Sequence, residues 1–181
     1  MFYNIYVKTM SKIVLRTAIY SFIGTVAVFC YGLGIFSMCF PRSMADFYDS
    51  VGNTRLSAMY YGRIYERNKT NENLYFALSK NILAHSDSAT IKYGDKWFAL
   101  DEIVQKNLTE QVDAYLINDA LDEHEKDILT MYNTDFVLRR GYIVALINKG
   151  QTTKAKDFLN SCPEEVQEKL RDSLTKELGE P

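Results

Sequence analysis

The chain has 181 residues, 47% hydrophobic and 24% charged, with 21 Lys plus Arg against 23 Asp plus Glu for a net charge of −2. That balance excludes the basic footprint of a nucleic-acid binder and a polybasic surface for anionic lipid. Two of the three cysteines lie in an apolar stretch, which excludes a disulfide framework, and no segment is polar and repetitive enough to be disordered.

In chain order, residues 1–16 form a short tail that carries Lys8, Lys12 and Arg16 and no acid. From Thr17 to Phe40 there are 24 consecutive residues without a charge. As a helix this segment is about 36 Å long at ~1.5 Å per residue. A hydrocarbon core of about 30 Å needs roughly 20 residues, so the segment can span a bilayer with some tilt. Backbone amides in lipid must be satisfied internally, and a helix is the only single-segment way to do it. Pro41 has no N–H and disfavours helix in the residue before it, so the expected transmembrane helix is 17–41. Gly24, Gly32 and Gly34 do not make the small-xxx-small spacing of a dimerising helix.

Three basic residues precede the span and Arg42 follows it. The positive-inside rule then places the N-terminus in the cytoplasm and the rest outside a cell membrane, as a single-pass protein. The rival is a cleaved signal peptide with Ser43-Met44-Ala45 as the cutting site. A signal h-region runs about 7–15 residues, which favours the anchor. Without cleavage, the triplet reads as a polar juxtamembrane loop.

Residues 42–181 carry 18 basic and 23 acidic side chains, so 18 − 23 = −5. This length buries one real core. Sustained strand alternation is missing, and apolar residues recur at spacings of three and four, which predicts an all-α domain. Leu56, Met59, Tyr60 and Ile64 form one stripe, and Leu74, Ala77, Leu78 and Ile82 a second. Ser86 or Ser88 is placed to cap a third helix carrying Ile91, Trp97 and Phe98. Thr109 is placed to cap a fourth, in the stretch that carries Leu108, Val112, Leu116 and Leu121. The strongest pattern runs from Asp135 to Asn148 and breaks at Gly150. A short helix follows from Thr152 or Thr153, and Pro163 opens the last one at its first turn.

Tyr61-Gly62-x-x-Tyr65 returns as Tyr93-Gly94-x-x-Trp97, and Leu74, Leu78 and Ile82 return as Leu108, Val112 and Leu116. This spacing resembles the tetratricopeptide repeat, a helix-turn-helix of about 34 residues. Gly62 matches the family's small residue, Tyr65 its aromatic, and Gly150, Ala155 and Leu159 a second turn and helix. The family's Trp and closing Pro are missing, and Ser88 to Thr134 is irregular. The resemblance implies a tetratricopeptide-like α-α superhelix whose first helices line a concave face for a protein or peptide partner. The matching positions are Met59, Arg63, Glu66 and Arg67, then Val137, Arg140, Val144 and Asn148. Arg63, Arg67 and Arg140 would pair with a carboxylate. The plain alternative is solvated surface arginines.

Residues for chemistry are few. His85 and His124 are the only histidines, and the run Asp122-Glu123-His124-Glu125-Lys126-Asp127 lacks HExxH spacing and calcium-loop order. No catalytic residue, metal site or cofactor is expected. The expected function is a membrane-tethered scaffold for protein–protein interaction in envelope assembly or translocation. Two alternatives stand beside it. One is a hydrolase or metal-dependent enzyme with a dispersed site around His124. The other is a cytosol-facing protein of the import-receptor type.

Overall fold

The computed structural model describes residues 2–119, Glu123, Lys126 and 133–178, and among these there are helices and turns but no strand. The helices are α1 Phe2–Cys39, α2 Pro41–Ser50, α3 Thr54–Arg67, α4 Asn71–Leu83, α5 Asp87–Trp97, α6 Glu102–Asp119, α7 Thr134–Asn148, α8 Thr152–Ser161 and α9 Glu164–Leu178. They divide into two units, Met1–Pro41 and Arg42–Pro181.

The first unit is α1. Its segment Arg16–Cys39 is long and apolar enough to cross a membrane, and none of it is buried against protein. Two of its hydroxyls are satisfied by its own backbone, Thr25 Oγ1 donating to Ser21 O at 2.9 Å and Ser37 Oγ to Gly34 O at 2.8 Å. That leaves no polar group of either side chain in need of water. The helix ends at Cys39, with Phe40 N still donating to Phe36 O at 2.8 Å, and Pro41 opens the next helix where its missing N–H costs nothing.

In the second unit most neighbouring helices run antiparallel. Asn81 Nδ2 reaches Ala58 O and Tyr61 stacks on Phe76, so α4 runs back along α3. Asn148 meets Asp87, and Tyr142 donates to Asp95, so α7 runs back along α5. Two layers result. Glu66 on α3 pairs with Lys92 on α5 at 2.6 Å, and Asp95 on α5 with Lys154 on α8 at 2.7 Å, which makes α3, α5 and α8 one layer. Asp49 on α2 pairs with Lys80 on α4 at 2.6 Å, Ile82 of α4 packs on Gly141 of α7, and Arg140 of α7 reaches Ser173 of α9. The other layer is therefore α2, α4, α7 and α9. Helix α6 stands outside this alternation. Its Leu108 and Val112 pack on the cluster shared by α4, α5 and α7, and its Asp113 accepts from Thr134 N at 2.8 Å at the start of α7.

Three turns repeat one geometry. After α2, α4 and α7 a left-handed residue appears at Gly52 (φ 71°), His85 (φ 49°) and Gly150 (φ 71°). In each, the next amide donates back along the helix: Asn53 N to Tyr48 O, Ser86 N to Asn81 O, and Gln151 N to Leu146 O. This is the Schellman closure, and it turns the chain from one layer to the other each time.

The core is rich in rings. Trp97 is 0% exposed, and Tyr60, Tyr61, Tyr65, Tyr75, Tyr93 and Tyr142 are all buried. Glycines let α5 seat two of them: the Tyr93 ring lies over Gly62, and the Tyr142 ring over Gly94. Burial pushes the Tyr75 phenol up to about 12.

Three expectations need correction. Ser43-Met44-Ala45 is not a loop but lies within α2, with Ala45 fully buried against Tyr60 and Tyr61. Thr109 does not cap α6, which starts at Glu102; its hydroxyl donates to Gln105 O within the helix, while Asp101 Oδ1 accepts from Ile103 N at the start. The buried residues of α3 are Ser57, Ala58, Tyr60, Tyr61, Gly62 and Tyr65, so Tyr60 of the expected stripe is buried while Met59 is exposed, because α3 is covered by α2 and α5 as well as α4. Leu121 lies outside the described residues.

Candidate functional site

Helices α4, α7 and α9 leave an open groove of about 440 Å³, lined by Ile82, Phe136, Val137, Arg140, Gly141 and Ser173. Asn133 positions the α7 part, its Oδ1 capping the helix by accepting from Phe136 N at 2.9 Å. Gly141 fixes the depth. A Cβ there would stand 2.6 Å from Ile82 Cγ2, so α4 and α7 approach at this point because no side chain intervenes. Arg140 is half-buried, and its Nη2 donates to Ser173 O at 3.5 Å. Val137 is 43% exposed beside it. A guanidinium next to an apolar wall suits a carboxylate that carries an apolar side chain. The Ser173 hydroxyl donates to Leu170 O at 2.9 Å within its own helix.

Of the residues predicted to face a partner, the structure brings Val137 and Arg140 together in this groove. Val144 of α7 packs partly buried on the core, and Asn148 donates to Asp87 Oδ1 at 3.3 Å. Met59, Arg63, Glu66 and Arg67 sit on α3, in the other layer. Arg63 lies over the Tyr60 ring at 5.1 Å, and Lys92 beside Glu66 holds that carboxyl below its usual range. The two predicted sets do not share a layer, because α6 lies outside the alternation and α7 follows α5 directly in the packing. Ile82, Gly141 and Ser173 were not anticipated. Gly141 carried a signal: a glycine inside so strong a helical pattern marks close packing.

Two polar clusters lie elsewhere. Arg139 pairs with Asp135 at 2.7 Å and its Nη1 reaches Cys162 Sγ at 3.5 Å, with Cys162 buried and its thiol pushed up by burial against the pull of Arg139. The Tyr142 hydroxyl and the Lys154 ammonium both bind Asp95, and burial followed by that hydrogen bond raises the phenol's pKa. Both clusters tie helices together. Among the described residues no three His, Cys, Asp or Glu side chains gather as a metal site. His124, with Asp122, Glu125 and Asp127, lies outside the described residues; Glu123 and Lys126 pair at 3.1 Å.

No protein-family model matches the chain, and neither a curated protein nor a solved structure matches it.

Proposed function

We propose that this chain is a membrane-tethered, tetratricopeptide-like helical scaffold that docks another protein and performs no chemistry of its own. In this reading α1 spans a cell membrane once, residues 1–16 are cytoplasmic, and the domain from Arg42 onward works on the outer face in envelope assembly or translocation. Nucleic acid is not a partner. The observation that carries the reading is the two-layer alternation of helices behind an apolar segment long enough to cross a membrane. An array of stacked hairpins presents long faces to a partner, and an anchor confines those faces to one membrane. Arg140 and Val137 in the α4–α7–α9 groove would receive an acidic or carboxylate-ended peptide.

The test is photo-crosslinking in native membranes, with a crosslinker at Val137 and, for comparison, at exposed Lys106 on α6. A discrete adduct at Val137 and none at Lys106 supports the reading. Equal labelling at both, or none at either, removes the groove as a docking site. A tag after Pro181 tested for protease protection reads the topology. Digestion in intact cells or spheroplasts supports an outward domain, and protection puts it in the cytosol.

A further inference from the structure

Helix α2 packs on the domain through Met44, Ala45 and Tyr48 and carries its charges along one flank. Its three charges each have a partner in the domain while staying partly exposed, Arg42 at 52%, Asp46 at 57% and Asp49 at 40% of the side chain. Arg42 lies over the Phe76 and Tyr61 rings at 5.2 and 5.7 Å, Asp46 accepts from the Tyr61 hydroxyl at 2.9 Å, and Asp49 binds Ser57 and Lys80 at 3.2 and 2.6 Å. Its opposite face, at the i, i+4, i+7 spacing of one helical side, is Ser43, Phe47 and Ser50, and it carries no charge at all. Phe47 is 55% exposed there and Val51, four residues on, is 58% exposed. The Ser50 hydroxyl donates to Phe47 O at 2.8 Å and so asks nothing of solvent.

The position of α2 in the chain names what covers this edge. Phe47 is 47 − 40 = 7 residues past Phe40, the last residue of the uncharged segment. Seven residues reach at most about 25 Å fully extended, and about 10 Å along a helix. The headgroup zone of a bilayer is itself about 5–8 Å deep on each side. Aromatic and small hydroxyl side chains without charge belong in that zone.

We propose that the Ser43–Phe47–Ser50–Val51 edge of α2 is a lipid-contact surface, seated in the headgroup region of the membrane that α1 spans. The proposal rests on the anchor reading above and adds a second, peripheral contact to it. It assigns Phe47 as the residue that enters the lipid.

The full chain, reconstituted in phosphatidylcholine–phosphatidylglycerol vesicles, provides the test. Phe47→Trp and, separately, Phe29→Trp in the middle of the uncharged segment each add one indole to buried Trp97, whose emission is the background to subtract. Lipids brominated near the headgroup or near the chain end serve as quenchers. The expected result is that the added Phe47→Trp emission falls most with the shallow bromine and Phe29→Trp most with the deep one. If Phe29→Trp is quenched by the deep bromine while Phe47→Trp is quenched by neither, α1 is in the membrane and the proposal is overturned. Aqueous acrylamide then tells whether the edge faces water or another protein. If neither indole is quenched by lipid, the anchor reading fails and the proposal with it. Val51→Trp repeats the measurement at a second position, should Phe47→Trp disturb α2.

Discussion

Replacing Gly94 by Ala tests the close approach that joins α5 to α7. A Cβ on Gly94 would stand 2.3 Å from Tyr142 Cδ2 and 2.7 Å from Cε2. The ring has nowhere to go. Phe98 flanks it at 5.2 Å and Phe158 at 4.8 Å, and its hydroxyl is held by Asp95. Overpacking of this kind costs about 1–3 kcal/mol. Ala in place of Gly inside a helix returns about 0.8–1 kcal/mol. The net expectation is a loss of about 1 kcal/mol, reaching about 2 kcal/mol if the helices must separate. Urea unfolding of the full chain in detergent micelles measures it, read through the fluorescence of Trp97, the chain's single tryptophan. In a Tyr142→Ala background the sign should reverse, because only the helix-propensity gain of about 0.8–1 kcal/mol remains. A Gly94→Ala protein as stable as the parent would refute the reasoning, as would a loss that Tyr142→Ala leaves unchanged.

The turns and the buried groups give further expectations. His85→Gly should raise the unfolding midpoint, by about 0.5–1 kcal/mol, because a left-handed backbone strains any residue with a Cβ; Gly150→Ala should lower it by about 1 kcal/mol for the same reason. Tyr61 and Tyr75 are raised from 10.0 to about 12, the first by burial and then its bond to Asp46, the second by burial and then Asp113. Raised phenols favour the neutral form in the fold, so their contribution is complete below pH 10 and lost as pH rises through 12. In ultraviolet titration, Tyr61→Phe and Tyr75→Phe should each remove, relative to the parent, a tyrosinate step near pH 12 and not near pH 10. Asp113→Ala removes the acceptor of Thr134 N at the first turn of α7 and should cost about 1 kcal/mol in the same urea assay. Cys162, buried and with its thiol raised by desolvation, should resist maleimide until the domain unfolds; rapid labelling of the native protein would contradict its placement. The same burial makes Cys162 unsuitable for reading topology.

The helices with strong periodic stripes were legible before any coordinates. Leu74, Ala77 and Leu78 are buried on α4, and Phe136, Ile143, Ala145 and Leu146 on α7, as their three-and-four spacing requires. Gly150 ends its helix in the left-handed region, as a glycine after the last apolar position suggests. Helix α2 was hidden because its inward residues are only Met44, Ala45 and Tyr48, too few to read as a core face until Tyr60 and Tyr61 are placed against them. The turn at His85 was hidden because no side chain advertises a left-handed backbone there. The groove was half legible. Val137 and Arg140 were picked for a partner, but Ile82 lies 137 − 82 = 55 residues before the first and Ser173 lies 173 − 140 = 33 residues after the second, a pairing set by packing order alone. Grouping them with Met59, Arg63 and Arg67 assumed that α6 takes its turn in the array, which it does not.

The placement of α2 also decides how the domain bears a mechanical load. Any pull along the chain from the side of α1 enters the array at Pro41, so it reaches the ties of Asp46 to Tyr61 and of Asp49 to Ser57 and Lys80 before any deeper contact. A stacked array shares such a load between neighbours only. Tension would therefore be taken up locally, with α2 yielding first and the ring-filled core between α4, α5 and α7 keeping its shape. If α1 is an anchor, the first helix of the domain is the fuse between it and the rest of the chain.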